Sequence, residues 1–208
     1  MGEGIHTISK GVKKTDRSYL HDTDSGLNRR EAYTVNKLEN KIRNRKTEKG
    51  YVIGSDGNVI AESHRGSRRS ARFYKSDMMK SKDAIVIHNH PNAEMGGTMA
   101  AQIGLPFSNN DIENAVNYNL KEVRAVTPNY TYSIRRPKGG WGNKEAIYKA
   151  LREWEYEADK NYYDYKYSKG RKGASIKETF DRGNVGGQWS AWKSFMKKTG
   201  LTITRKKG

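Results

Sequence analysis

Ala84-Ile85-Val86-Ile87 runs without a break into His88-Asn89-His90-Pro91. The first four residues are the most apolar stretch of the chain, and Ile85, Val86 and Ile87 are β-branched. Length and branching together predict a strand buried on both faces. Pro91 has no N–H to give to a ladder, so the strand is expected to stop there. Side chains two apart on a strand share a face, so the imidazoles of His88 and His90 can reach one point. That point lies at the edge of a dry core.

Downstream, residues 92 to 107 read as a loop with three glycines, two methionines and a proline. Ser108-Asn109-Asn110-Asp111 then precedes Ile112, Ala115, Val116 and Leu120, which are spaced as on a helix. A Ser followed three residues later by Asp is a helix-start signal. Asp111 is therefore expected at the head of a helix that the loop brings back toward the strand. Two imidazoles and a carboxylate leave one tetrahedral position open for water, the ligand set of a catalytic zinc. Such chemistry also needs a second carboxylate to take the water's proton and hand it on. A lone His-x-His occurs by chance, often for packing at a strand end. Pro91, Ser108 and Asp111, following a buried strand, favour a metal site.

The flanks predict an α+β fold, with a central mixed sheet of about four to six strands between helices. Upstream, Arg29 to Arg45 has the pattern of an amphipathic helix, with Tyr33, Val35, Leu38 and Ile42 among charged residues. Tyr51-Val52-Ile53 and Val59-Ile60-Ala61 flank Asp56-Gly57, which predicts a β-hairpin. Arg65, Arg68, Arg69 and Arg72 mark a basic loop or edge strand, and Met78 and Met79 a short helix. Val123 to Thr127 and Asn129 to Ile134 read as a further strand pair. From Lys144 a helix is expected, with Ile147, Ala150, Leu151, Trp154 and Ala158 on one stripe. Gly183 to Gly187 reads as a breaker. Trp189, Trp192, Phe195 and Met196 suit a shorter helix, and Leu201 to Thr204 a last strand. The expected organisation is an N-terminal arm over 1–28, flexible or draped, a metal-binding domain over 29–140, and a basic, aromatic-rich helical extension over 141–208.

Composition narrows the function classes. The chain has 208 residues and no cysteine, so thiol nucleophiles, cysteine-held zinc and disulfides are excluded. Any metal must be held by His, Asp or Glu. The net charge of +17 attracts phosphate polyanions and anionic surfaces, and it also suits a solvated Lys/Arg-rich face. Tyrosines and lysines from Tyr162 to Lys172 suit stacking and phosphate contact, or a solvated face over core aromatics. No apolar run is long enough to span a bilayer. The N-terminus lacks an apolar signal core, and His6 stands where a myristoylation start wants Ser or Thr. A cytoplasmic protein is the expectation. His64 reads as a surface residue, and His6 and His21 as parts of the arm.

The pattern His88-Asn89-His90-Pro91, a loop, then Ser108-x-x-Asp111 resembles the signature of the JAB/MPN (JAMM) metallopeptidase superfamily. Over roughly residues 36 to 137 it looks most like the JAB-like domains of phage head-morphogenesis and minor head proteins and of RadC-like proteins. Those also tend to show Phe-Ser-x-x-Asp-Ile, here Phe107 to Ile112. The resemblance implies a JAB/MPN-like, cytidine-deaminase-like sheet and a zinc-dependent cleavage of a peptide or isopeptide. It implies His88, His90 and Asp111 as zinc ligands and Ser108 as the hydroxyl that stabilises a developing oxyanion. It also implies an early Glu as general base. Glu48, directly before the first apolar strand, fits that place. Glu62, after the second hairpin strand, and Glu39, inside the expected helix, rank behind it. The alternative is a phage-head-associated or nucleic-acid-binding protein on the same scaffold, with capsid proteins or nucleic acid as partners and little catalysis. It would act in the host cytoplasm or the virion. The loop from Pro91 to Ser108 is longer than usual in that superfamily, and it is expected to form a flap or regulatory insertion.

Overall fold

In a computed structural model of the chain, the described residues are 26–67, 70–91, 106–170 and 187–208, with no side chain described at 162, 165–170 or 187. Outside them lie most of the expected arm with His6 and His21, the expected flap over 92–105, Arg68, Arg69, and 183–186 of the expected breaker. Of the segment Tyr162 to Lys172, only the side chains of Tyr163 and Asp164 are described.

Helix α1 (Arg29–Ile42) begins at a reciprocal cap. Asn28 Oδ1 accepts from the Arg30 and Glu31 N–H groups, and the Glu31 carboxylate accepts from the Asn28 N–H. Strands β1 (Gly50–Ile53) and β2 (Val59–Glu62) form the hairpin expected around Asp56-Gly57. Gly57 has φ 80°, and a Cβ there would stand 2.7 Å from Arg30 Cβ, so turn and helix head both require glycine. A separate two-stranded ribbon follows, β3 (Arg65–Gly66) and β4 (Ala71–Arg72), and then the short helix α2 (Lys75–Met79).

Strand β5 (Ile85–Asn89) is buried throughout. Helix α3 (Asn109–Asn117) leads to β6 (Glu122–Val126), which pairs parallel with β5. Parallel neighbours need a crossover, and the segment carrying α3 supplies it. Strands β7 (Tyr130–Arg135) and β8 (Ile203–Lys207) extend the sheet antiparallel. The six-stranded order is β2-β1-β5-β6-β7-β8. The protein is thus an α+β fold with a mixed sheet between helices.

Alternation sorts the two faces. Ile85 and Ile87 point to α1, where they meet Val35, Leu38, Ile42, Tyr51, Ile53 and Val126. Val52, Val86, Val123, Ala125, Tyr132 and Ile134 point the other way. Helices α4 (Lys144–Gly170) and α5 (Gly187–Thr199) lie against that second face. A charged network occupies the α1 side. Buried Arg124 donates to Glu39 and Glu122, and Arg135 also donates to Glu122.

The expected boundary at 140/141 does not divide two bodies. Trp141, Ile147, Leu151, Trp154, Trp192 and Phe195 share one core with the strand residues, and β8 pairs with β7. The physical reason is cover. α1 protects only one sheet face, and the other needs the apolar stripes of α4 and α5, each large side chain contributing about 2–3 kcal/mol on burial.

Candidate metal centre

The site lies at the carboxyl end of β5, where its parallel ladder with β6 runs out. By alternation His88 and His90 fall on the face of Val86, away from α1. His88 is buried, and the His90 side chain is 17% exposed. Asp111 arrives from the first turn of α3. Buried Phe107, edge-on to Trp192 with ring centroids 6.2 Å apart, pins the chain just before that turn. Ile112 and Ala115 bury the helix's inner side.

The three side chains converge. His88 Nε2 stands 2.9 Å from His90 Nε2 and 3.3 Å from Asp111 Oδ1, and His90 Nε2 is 3.9 Å from Asp111 Oδ2. One ligand atom from each lies within 4.8 Å of the others, so the group could hold a metal ion. The donor set suits zinc. At Zn–N of 2.0–2.1 Å, tetrahedral imidazole nitrogens sit about 3.3 Å apart, so the histidines need part by only a few tenths of an ångström.

The charges of the group act on one another. Burial opposes charge on His88, but Asp111 and Glu48 outweigh it and hold the imidazole above its ordinary pKa. Burial likewise opposes charge on Asp111. His88, His90 and the Ser108 N–H prevail and hold the carboxyl well below the usual carboxylate range. Ser108 donates to Asp111 Oδ2 twice, from its N–H at 2.7 Å and its hydroxyl at 2.8 Å. That hydroxyl orients the Asp111 carboxylate in this structure; the oxyanion role implied by the resemblance needs this bond to be given up.

Three carboxylates were candidates for the base, and the structure separates them. Glu48 is half-buried beside the triad. Burial, with help from Asp111, pushes its carboxyl up to about 7, against the pull of His88 and of the Ala71 N–H. Glu62 is 61% exposed and pairs with Lys49 at 3.2 Å, as a surface carboxylate. Glu39 is bound to Arg124 at 2.7 Å on the α1 side, the wrong face of the sheet.

Two features were not anticipated. Asn89, between the histidines, points to the opposite face. Its Oδ1 accepts from the Lys49 N–H at 2.7 Å, and its amide donates to the carbonyls of Arg45 and Thr47. It therefore fixes the loop that carries Glu48, and its place between the two histidines on an alternating strand was the available signal. The second is the β3–β4 ribbon. The Glu48 N–H donates to the Ser67 carbonyl at 2.7 Å. A Cβ on Gly66 would lie 1.9 Å from the Glu48 carbonyl oxygen. Among the described residues, no helix is long and apolar enough to cross a membrane. Compared with protein-family models, curated proteins and solved structures, the chain has no match in any of the three.

Proposed function

We propose that this protein is a zinc-dependent hydrolase of the JAB/MPN (JAMM) type that cleaves a peptide or isopeptide bond. The observation that carries the reading is the convergence of His88, His90 and Asp111 with Glu48 held beside them near neutrality. His88 and His90 would offer Nε2 lone pairs as neutral imidazoles. Asp111, kept ionised by its neighbours and oriented by Ser108, would supply the third ligand. What the metal supplies when bound is Lewis acidity, which lowers the pKa of water and polarises a carbonyl. Glu48 is the proton carrier. A carboxyl that titrates near the working pH can both accept a proton and release it to a leaving nitrogen. Bound zinc would lower that value, favouring the base form at the start of a cycle. The peptide or isopeptide substrate follows from the resemblance of the His88 to Asp111 pattern, which also carries the proposal of a JAB/MPN fold.

The test is elemental analysis of purified protein beside His88→Ala/His90→Ala, followed by cleavage assays on peptide and isopeptide libraries. About one zinc per chain, lost in the double variant, is expected. Cleavage should vanish in Glu48→Gln while zinc is retained. A chain that takes up no zinc, or whose cleavage survives loss of the histidines, overturns the proposal.

A further inference from the structure

The β3–β4 ribbon carries an arrangement that neither folding nor metal chemistry requires. Arg65 and Arg72 are directly opposed across its two strands, and both are exposed. Side chains so opposed sit with their Cβ atoms about 5 Å apart, where like charges repel. Among the described residues neither has an ion pair with a carboxylate. Beside them His64 and Tyr74 stack face to face, with ring centroids 3.9 Å apart and planes 15° apart. Tyr74 is 57% exposed, so an aromatic surface stands open next to the two guanidinium groups. The backbone joins this surface to the segment carrying Glu48, because Ser67 bonds the Glu48 N–H and Gly66 rests on the Glu48 carbonyl.

We infer that the β3–β4 ribbon is a docking site for single-stranded nucleic acid. Two opposed guanidinium groups hold one or two phosphates, and the ligand's charge removes their mutual repulsion. The His64–Tyr74 stack offers a platform for a base. An acidic peptide would satisfy the arginines but would leave the aromatic platform unused, which favours nucleic acid. The net charge of +17 adds long-range attraction for the same ligand. This inference does not rest on the hydrolase reading. It assigns a second ligand to the surface next to the proposed catalytic centre.

The test is fluorescence anisotropy of a labelled oligothymidylate of about 20 nucleotides, titrated with the full chain over a range of salt. Wild type should bind with a steep salt dependence. Arg65→Glu/Arg72→Glu should weaken binding roughly tenfold or more at low salt. It should also flatten the plot of log affinity against log salt by about 0.7–1.4, the share of one or two phosphate contacts on a single strand. Tyr74→Ala should weaken binding with no change in that slope. Arg65→Gln/Arg72→Gln removes the repulsive pair, so it should melt no earlier than wild type and still lose affinity. That variant keeps the test valid if the charge reversal impairs folding. Arg152→Glu/Lys160→Glu, equal in charge and placed on exposed positions of α4, should change binding only slightly. His88→Ala/His90→Ala should bind as wild type, which separates this proposal from the metal centre. The proposal is overturned if the ribbon variants bind as wild type, or if the α4 control loses as much. It is equally overturned if a polyglutamate peptide binds and the oligonucleotide does not.

Discussion

Glu48→Gln should make the metal-free protein more stable, and only at neutral to alkaline pH. An unfolded Glu titrates at 4.5, and in the folded chain Glu48 is pushed up to about 7. A raised carboxyl favours the neutral form. Its contribution to folding is therefore complete below about pH 4.5 and is lost as the pH rises through about 7. At 1.36 kcal/mol for each pH unit between the two values, the full penalty is roughly 3.4 kcal/mol. Glu48 keeps partial contact with water, which screens the effect, so about 2 kcal/mol is the expected gain at about pH 8. The attraction of His88 and the Ala71 N–H bond already act against the raised value. Glutamine keeps the shape and can still accept from Ala71. The assay is urea unfolding of chelator-treated wild type and variant, followed by tryptophan fluorescence, at about pH 5 and about pH 8. The variant should gain at about pH 8 and gain little at about pH 5. A variant less stable than wild type at about pH 8, or one with the same increment at both, would refute the reasoning. The two effects of Glu48, a stability cost and a poised proton, come from one cause.

Three further outcomes follow from the contacts. Ser108→Ala removes the hydroxyl that orients Asp111 and an N-cap residue of α3, so zinc affinity should fall about 10- to 100-fold with a stability loss of about 1 kcal/mol, read by competition with a chromogenic chelator and by thermal melts. Gly66→Ala would force a Cβ to within 1.9 Å of the Glu48 carbonyl, so the ribbon or Glu48 must shift; about 1–3 kcal/mol of stability should be lost, and any cleavage activity should fall with zinc content unchanged. Arg124→Leu would take the buried guanidinium from both carboxylates, leaving Glu122 to Arg135 and Glu39 to Thr131 and to Arg43 at 4.0 Å; urea unfolding should show a loss of about 3–5 kcal/mol, and Glu39→Gln/Glu122→Gln in the same background should recover part of it.

The parts of this molecule that could be read from sequence are those set by neighbours along the chain. The continuous apolar, β-branched run into His88 predicts the strand, and the two-residue spacing of His88 and His90 predicts the shared face of the two imidazoles. The Ser108 to Asp111 spacing predicts the helix head. Asp56-Gly57 predicts the hairpin. What could not be read depends on which faces meet. The stripe on α4 is visible in sequence, but nothing local says that it covers Val86 and Ala125 instead of forming a separate unit. The Arg124 network was hidden for the same reason. A charged residue between Val123 and Ala125 looks solvent-facing until α1 closes over it and Glu39 meets it. The ribbon's grip on Glu48 joins residues 48, 66 and 67 through a chain reversal that spacing does not encode.

Register explains why the three carboxylates lie in different places. β1 pairs with β5 so that Gly50 faces His88, which places the residues just before Gly50 beside the carboxyl end of β5. Glu48 lies two residues outside the ladder, where the bonds of Lys49 to Asn89 and of the Glu48 N–H to Ser67 hold it beside the site. Glu62 pairs with Tyr51 inside the ladder, and its direction is set by the pleat. A slip of one residue in β5 would send His88 and His90 to the α1 face and Asn89 to the face of Asp111. The ladders with β1 and β6 and the bonds of Asn89 to Lys49, Arg45 and Thr47 oppose that slip. The side-chain alternation of the strand thus aims both imidazoles at Asp111. It also turns Asn89 toward Lys49, where it holds the loop that brings Glu48 to them.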